Sequence, residues 1–155
     1  MTLSNDELHD VVTAEAALIA RFVELLEAEQ EALTKGNIED LARLASEKEP
    51  LAADLQRLGQ QRNDHLVALK LSADRQGMSA WTAGNPDASS TWEKTLELAA
   101  RARDINRLNG ELIQMRLNFN SQLLEILQRN RGALDLYGPD GKTSGPGERR
   151  IDDAV

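Results

Sequence analysis

Apolar residues recur every three or four positions along most of the chain, the spacing that places side chains on one face of an α-helix. The first series is Leu8, Val11, Val12, Leu18, Ile19, Phe22, Leu25, Leu26 and Leu33. It predicts a helix over about residues 5–35, with Ser4 or Asn5 as its N-cap. Lys35-Gly36 predicts its end, because glycine adopts the left-handed conformation that closes a helix.

A second series predicts a helix over about residues 37–71, with Asn37 as its N-cap. Its heptad seam consists of Leu41, Leu44, Lys48, Leu51, Leu55, Leu58, Arg62, His65 and Leu69. The turn between the two helices is only one or two residues long, which forces them into an antiparallel hairpin. Pro50 lies inside the second helix, and since the heptad phase continues through it we expect a kink near Glu47 rather than a break.

The periodicity is lost over residues 72–89, where Gly77, Gly84 and Pro86 predict a loop. Trp81 is the large apolar side chain of this stretch. It either folds back to close the end of the helical bundle, which we favour, or serves as an exposed anchor for a partner.

A third series predicts a helix over about residues 90–131, which at this length must pack against the first two. Its expected buried face is Trp92, Leu96, Ala99, Ala102, Ile105, Leu108, Leu112, Met115, Phe119, Leu123, Ile126 and Leu127. We therefore predict an all-α fold in which an antiparallel long-helix hairpin and a third long helix form a three-helix, coiled-coil-like bundle over residues 1–134. The glycines, prolines and mixed charges of residues 135–155 predict a flexible, disordered tail.

Composition and charge narrow the classes of partner. The formal net charge of -8 disfavours nucleic acid, because such binders need a surplus of Lys and Arg. No apolar run approaches the roughly 20 residues that span a bilayer, which predicts no membrane insertion. The N-terminal sequence lacks the basic patch and apolar block of a secretion signal, so we expect a cytoplasmic protein.

Candidate catalytic chemistry is sparse, and we predict no enzyme, no cofactor and no metal. The chain contains no cysteine, and neither His9 nor His65 stands in a metal-binding motif. His65 falls on the heptad seam, where a histidine at the edge of the core is the favoured interpretation. The many carboxylates of the first two helices are interpreted as solvated and paired charges, such as Glu31 with Lys35, rather than as catalytic acids.

Asn106, Asn109 and Gly110 interrupt the apolar stripe of the third helix. Polar residues on a packed helix often set its register, because a misaligned pairing would bury their amides without partners. We favour this structural role for the asparagines; the alternative is a recognition surface. Gly110 indicates either close approach of another backbone or a bend.

Several residues in a fixed order resemble the FlgN-type flagellar synthesis proteins. They are Glu29-x-x-x-Leu33, Lys48, Asn106-x-x-Asn109-Gly-x-Leu-Ile113 and Tyr137-Gly-x-Asp-Gly141. The resemblance implies an all-helical, non-enzymatic cytoplasmic chaperone of flagellar type III export, whose partners are hook-associated proteins of the hook-filament junction and the flagellar export apparatus. It does not single out one hook-associated protein.

The resemblance also implies that the contact with the client or the export gate lies in the C-terminal part of the chain. The residues we assign to it are Asn106, Asn109, Met115, Phe119, Leu123, Leu127, Leu134 and Tyr137. Tyr137 is the best single candidate for an anchor. The heptad seam from Leu41 to Leu69 supports an alternative, a non-catalytic helical adaptor that forms a coiled-coil homodimer, and leaves the oligomeric state open.

Overall fold

The computed structural model describes residues 2–136, with side chains described for residues 5–129. Four helices make up this part of the chain: α1 (Thr2–Lys35), α2 (Ile38–Ala68), α3 (Arg75–Ala83) and α4 (Pro86–Leu136). The all-α prediction is confirmed for these residues. The predicted tail falls almost entirely outside them, so the domain boundary after residue 134 stays a prediction.

The chain divides into two units after Gly110, within α4. The first unit holds α1, α2, α3 and the first half of α4. The described part of the second unit is the stretch of α4 from Glu111 to Leu136. No helix in residues 2–136 combines the length and the apolar character needed to span a bilayer.

The turn between α1 and α2 forms as predicted. Gly36 has a φ of 71°, and the N–H of Asn37 donates to the carbonyl of Ala32 at 3.0 Å. The side chain of Asn37 then caps α2 by accepting a hydrogen bond from the N–H of Asp40. The helix α2 continues through Pro50 without a break.

Ion pairs give the direction in which α1 and α2 lie against each other. Glu29 pairs with Lys48 near the turn, and Glu15 pairs with Arg62 farther from it. Because later residues of α2 face earlier residues of α1, the two helices run antiparallel.

Three apolar clusters form the core of the first unit. The first cluster joins all four helices through Leu8, Val12, Leu66, Met78, Trp81 and Ala88. The second consists of Ile19, Val23, Leu26, Ala102 and Ile105, against which Leu55 of α2 packs. The third, nearest the turn, contains Leu25, Ala32 and Leu44, from α1 and α2.

The predicted loop over residues 72–89 is wrong, because α3 occupies Arg75–Ala83 and α4 begins at Pro86. Asp74 caps α3 by accepting a hydrogen bond from the N–H of Gly77. Pro86 stands at the first position of α4, where its missing N–H leaves no intrahelical bond unmade. The residues that indicated a loop therefore mark the ends of two helices.

The end of α2 also differs from the prediction, since the helix stops at Ala68 rather than at residue 71. Lys70 adopts a left-handed conformation with a φ of 63°. The N–H of Leu71 donates to the carbonyl of Leu66, which closes the helix as a glycine would have done. A lysine gives no sequence signal for this turn.

Trp81 closes one end of the core, as the favoured interpretation predicted. It is only 4% exposed, and its indole N–H donates to the side-chain oxygen of Asn5 at 2.8 Å. The ring of His9 meets it edge to face, with 6.4 Å between ring centroids. The side chain therefore ties α3 to the first turns of α1.

We predict that acid weakens the cap of α3. The Ser72 hydroxyl, and then the N–H of Gly77, hold the pKa of Asp74 below its usual value. A carboxylate with a lowered folded pKa stabilises above the unfolded pKa, about 3.9, and this contribution is lost as the pH falls through the folded pKa. The melting temperature of the parent chain, followed by tryptophan fluorescence, should therefore exceed that of Asp74→Asn at pH 6, and the gap should narrow toward pH 3.

The control for this prediction is Ser72→Ala, which removes the largest cause of the pKa shift and keeps the cap to Gly77. The pH dependence of its melting temperature should lie between that of the parent chain and that of Asp74→Asn. If the parent and Asp74→Asn differed in melting temperature by the same amount at pH 6 and at pH 3, the stabilising role of the Asp74 carboxylate would be contradicted.

Candidate functional site

Four polar side chains from three helices meet inside the first unit. The amide nitrogen of Asn109 donates to the carbonyl of Leu26 at 3.0 Å and to Oε1 of Glu29 at 2.9 Å. The ammonium of Lys48 lies 3.4 Å from the same carboxylate oxygen and 2.8 Å from the side-chain oxygen of Asn106. We call Glu29, Lys48, Asn106 and Asn109 the polar junction.

Two members of the polar junction are buried and therefore need hydrogen-bond partners within the protein. Asn109 is 1% exposed and Glu29 is 6% exposed, whereas Asn106 lies at the surface. A buried carboxylate is tolerated because an ammonium and an amide N–H both point at it. If α4 shifted along α1, Glu29 would lose the amide and Asn109 would lose both acceptors, which supports the register role for Asn109.

Gly110 follows the polar junction without a packing role. A Cβ built on this residue would meet no heavy atom within 4 Å. The interpretation that Gly110 admits a closely approaching backbone is therefore wrong. The helix continues through this position.

A second polar contact inside the first unit was not anticipated. The guanidinium of Arg62 pairs with the buried carboxylate of Glu15 and lies over the ring of Trp92, 4.9 Å from its centroid. A cation so placed is attracted to the ring face as well as to the carboxylate. The seam position of Arg62 in the sequence did not indicate which partners it would have.

The second unit carries a large exposed apolar surface. Its exposed members are Ile113, Met115, Leu117, Phe119, Leu123, Leu124, Ile126 and Leu127. We call these eight side chains the distal apolar surface. Met115 is 66% exposed and Phe119 is 64% exposed, which is far from the burial of a core residue.

The expected buried face of the third helix is therefore wrong beyond Leu112, at Met115, Phe119, Leu123, Ile126 and Leu127, and Leu108 is exposed as well. The described part of the second unit, Glu111 to Leu136, is a single helix. That unit contains no other described element against which its side chains could be buried.

The predicted site residues divide between these two places. Asn106 and Asn109 belong to the polar junction, and Met115, Phe119, Leu123 and Leu127 belong to the distal apolar surface. The side chains of Leu134 and Tyr137 lie outside the described residues, so their assignment stays a prediction.

Four members of the distal apolar surface were missed, namely Ile113, Leu117, Leu124 and Ile126. A sequence signal for three of them exists. Residues 113, 117, 124 and 127 fall on a single heptad seam. The prediction followed the neighbouring stripe through Met115 and Phe119 and did not include this seam.

The described side chains include an exposed apolar surface but no group of metal-binding residues. Among residues 5–129, no three or more His, Asp or Glu side chains are grouped so that they could hold a metal ion. His65 is partly buried, with Nδ1 3.7 Å from a carboxylate oxygen of Glu7. What the distal apolar surface can do chemically is bury apolar area against another molecule.

The sequence of the chain is similar to those of the FlgN proteins. A family model described as FlgN protein matches residues 1–145. The flagella synthesis protein FlgN of Salmonella typhimurium is 34% identical over 122 residues, covering 77% of this chain and 78% of that protein. Its counterparts in Proteus mirabilis and Escherichia coli are 25% and 24% identical, each over 88% of this chain and 90% of the relative. No solved structure matches the chain.

Proposed function

Because the chain belongs to the FlgN family, whose relatives carry the name flagella synthesis protein, we propose that it acts in flagellar assembly. Its role in this proposal is that of a cytoplasmic, non-enzymatic export chaperone. It binds hook-associated proteins of the hook-filament junction and keeps them unassembled for type III secretion through the flagellar export apparatus. The observation that carries the proposal is the distal apolar surface.

An exposed apolar helix suits a chaperone because an amphipathic segment of the client can cover it. While the segment is covered it is unavailable for assembly with other subunits.

The energy of this contact suits reversible binding. Eight half-exposed side chains, each gaining about half of the roughly 1.5–3 kcal/mol of full burial, give about 6–12 kcal/mol gross. Association itself costs about 4–15 kcal/mol. The two ranges overlap, so burial of this apolar surface alone supports weak binding at most, and weak binding permits release at the export apparatus without hydrolysis of ATP by the chaperone.

The alternative adaptor, a homodimer through the Leu41–Leu69 seam, has less support. Leu44 and Leu58 of that seam are buried within the chain. Leu41, Leu51 and Leu55 pack against its clusters. A seam already covered by the same chain has little apolar area left for a second copy.

The test is the affinity of the full chain for a purified hook-associated protein, measured by calorimetry. We expect Phe119→Ser and Leu123→Ser to raise Kd at least tenfold each without lowering the melting temperature, since both side chains are exposed in the free chain. The matched controls are Ile38→Ser and Val67→Ser, which remove exposed apolar side chains of α2.

Two outcomes would contradict this assignment: binding unaffected by the Phe119 and Leu123 variants, or equal weakening by the controls. Tyr137→Ala tests the proposed tail contact separately. If Tyr137 is an anchor, this variant should weaken binding of either the client or the export apparatus with helicity unchanged.

A further inference from the structure

The eight side chains of the distal apolar surface fall on two seams of α4, which also include Leu112 and Asn120. Seam one is Leu112, Met115, Phe119, Leu123 and Ile126. Seam two is Ile113, Leu117, Asn120, Leu124 and Leu127. Within each seam the spacing is three or four residues, so each forms a stripe along α4.

The two seams point in different directions around the helix axis. With 3.6 residues per turn, their centres lie about 120° apart, and together they span about 200°. Arg116 falls midway between them. A facing helix packs against one such stripe, so a single partner helix leaves the other seam exposed.

The area of the distal apolar surface also indicates that both seams are covered in a stable complex. Full burial of a side chain of this size removes on the order of 100 Å² from water, so eight half-exposed side chains offer roughly 400 Å² of apolar area. An interface that is about 60% apolar would then cover roughly 700 Å² on this side. That approaches the ~800 Å² per partner of a stable complex, whereas one seam alone supplies about half of it.

We propose that the distal apolar surface binds two amphipathic helices of one client molecule, one helix in each seam. The inference rests on the proposed function and specifies its partner as a helical pair rather than a single helix. A second copy of this chain presenting one helix would cover one seam only, which is why we commit to the helical pair.

The two seams differ in polarity, because seam two contains Asn120. It is the one polar residue of seam two, at its central position, and it is exposed in the free chain. When a facing helix covers the seam, the amide of Asn120 must find a hydrogen-bond partner on that helix. Asn120 is therefore a specificity residue, which selects a client helix with a polar side chain at the matching position and fixes its register.

The experiment measures Kd and stoichiometry of the full chain with the purified hook-associated protein for one variant in each seam. Phe119→Ser represents seam one and Leu117→Ser seam two, and Asn118→Ser on the opposite face is the matched control. We expect at least a tenfold rise in Kd for each seam variant, no change for the control and one client per chain. Asn120→Leu should raise Kd several-fold, with Asn120→Ser closer to the parent.

Photo-crosslinkers placed at 117 and at 119 should label two separate segments of the same client. A Leu117→Ser chain that binds with the parent Kd would overturn the helical pair and leave the proposed function standing. Crosslinks from either position to a second copy of this chain would also overturn it. If no hook-associated protein binds the parent chain, the proposed function fails with it.

Discussion

Replacing Asn109 by aspartate is expected to lower the free energy of unfolding by about 3–5 kcal/mol. The new carboxylate would lie against that of Glu29, at the position where the amide nitrogen now donates at 2.9 Å. Both residues are more than nine-tenths buried. Two like charges about 4 Å apart repel by about 4 kcal/mol at the effective dielectric constant of a protein, and Lys48 is a single compensating charge.

The measurement is urea unfolding at pH 7, with Asn109→Leu as the matched control. Leucine removes both hydrogen bonds of the amide without adding charge and should cost about 1–3 kcal/mol. Acidification should narrow the gap between the two variants, because protonating one carboxylate removes the repulsion. If aspartate and leucine cost the same at pH 7, the charge of Glu29 does not act at this position.

Replacing Trp81 by alanine is expected to cost about 3–5 kcal/mol. The indole fills the end of the core between Leu8 of α1 and Leu66 of α2, and it anchors the short helix α3. Since a domain has a total stability of only about 5–15 kcal/mol, much of this end of the first unit should unfold with it. Far-UV circular dichroism during thermal unfolding measures the loss.

Two further variants separate the roles of the Trp81 side chain. Trp81→Phe keeps most of the apolar volume and should cost much less than the alanine. Asn5→Ala removes only the acceptor of the indole N–H and should cost about 0.5–1.5 kcal/mol. A loss below 1 kcal/mol for Trp81→Ala would contradict the placement of Trp81 in the core.

Local signals placed the two helix ends at the first turn correctly, because residue type and conformation agree there. Lys35-Gly36-Asn37 predicted the turn between α1 and α2, because glycine supplies the left-handed residue and asparagine supplies the cap. Lys70 adopts the same left-handed conformation at the end of α2 with no such signal. Its conformation is held by bonds to Leu66 and Val67 and by the packing of Leu71, which depend on the surrounding fold.

The helix α3 could not be predicted from its own residues alone. Nine residues are too few for a helix to persist by propensity, and Gly77 lies within its first turn. Its stability comes from Met78 and Trp81, both buried against other helices. A stretch with loop composition becomes helical here because tertiary contacts supply what the local sequence lacks.

The amino-acid sequence thus determined the all-helical class, the first turn and the faces on which apolar side chains lie, since these follow from residue spacing and local conformational preference. It also singled out Glu29, Lys48, Asn106 and Asn109, but as separate motifs. Only the three-dimensional arrangement joined them into the polar junction and left Met115 and Phe119 uncovered. A period of 3.6 residues defines a face, whereas burial depends on whether another element packs against that face.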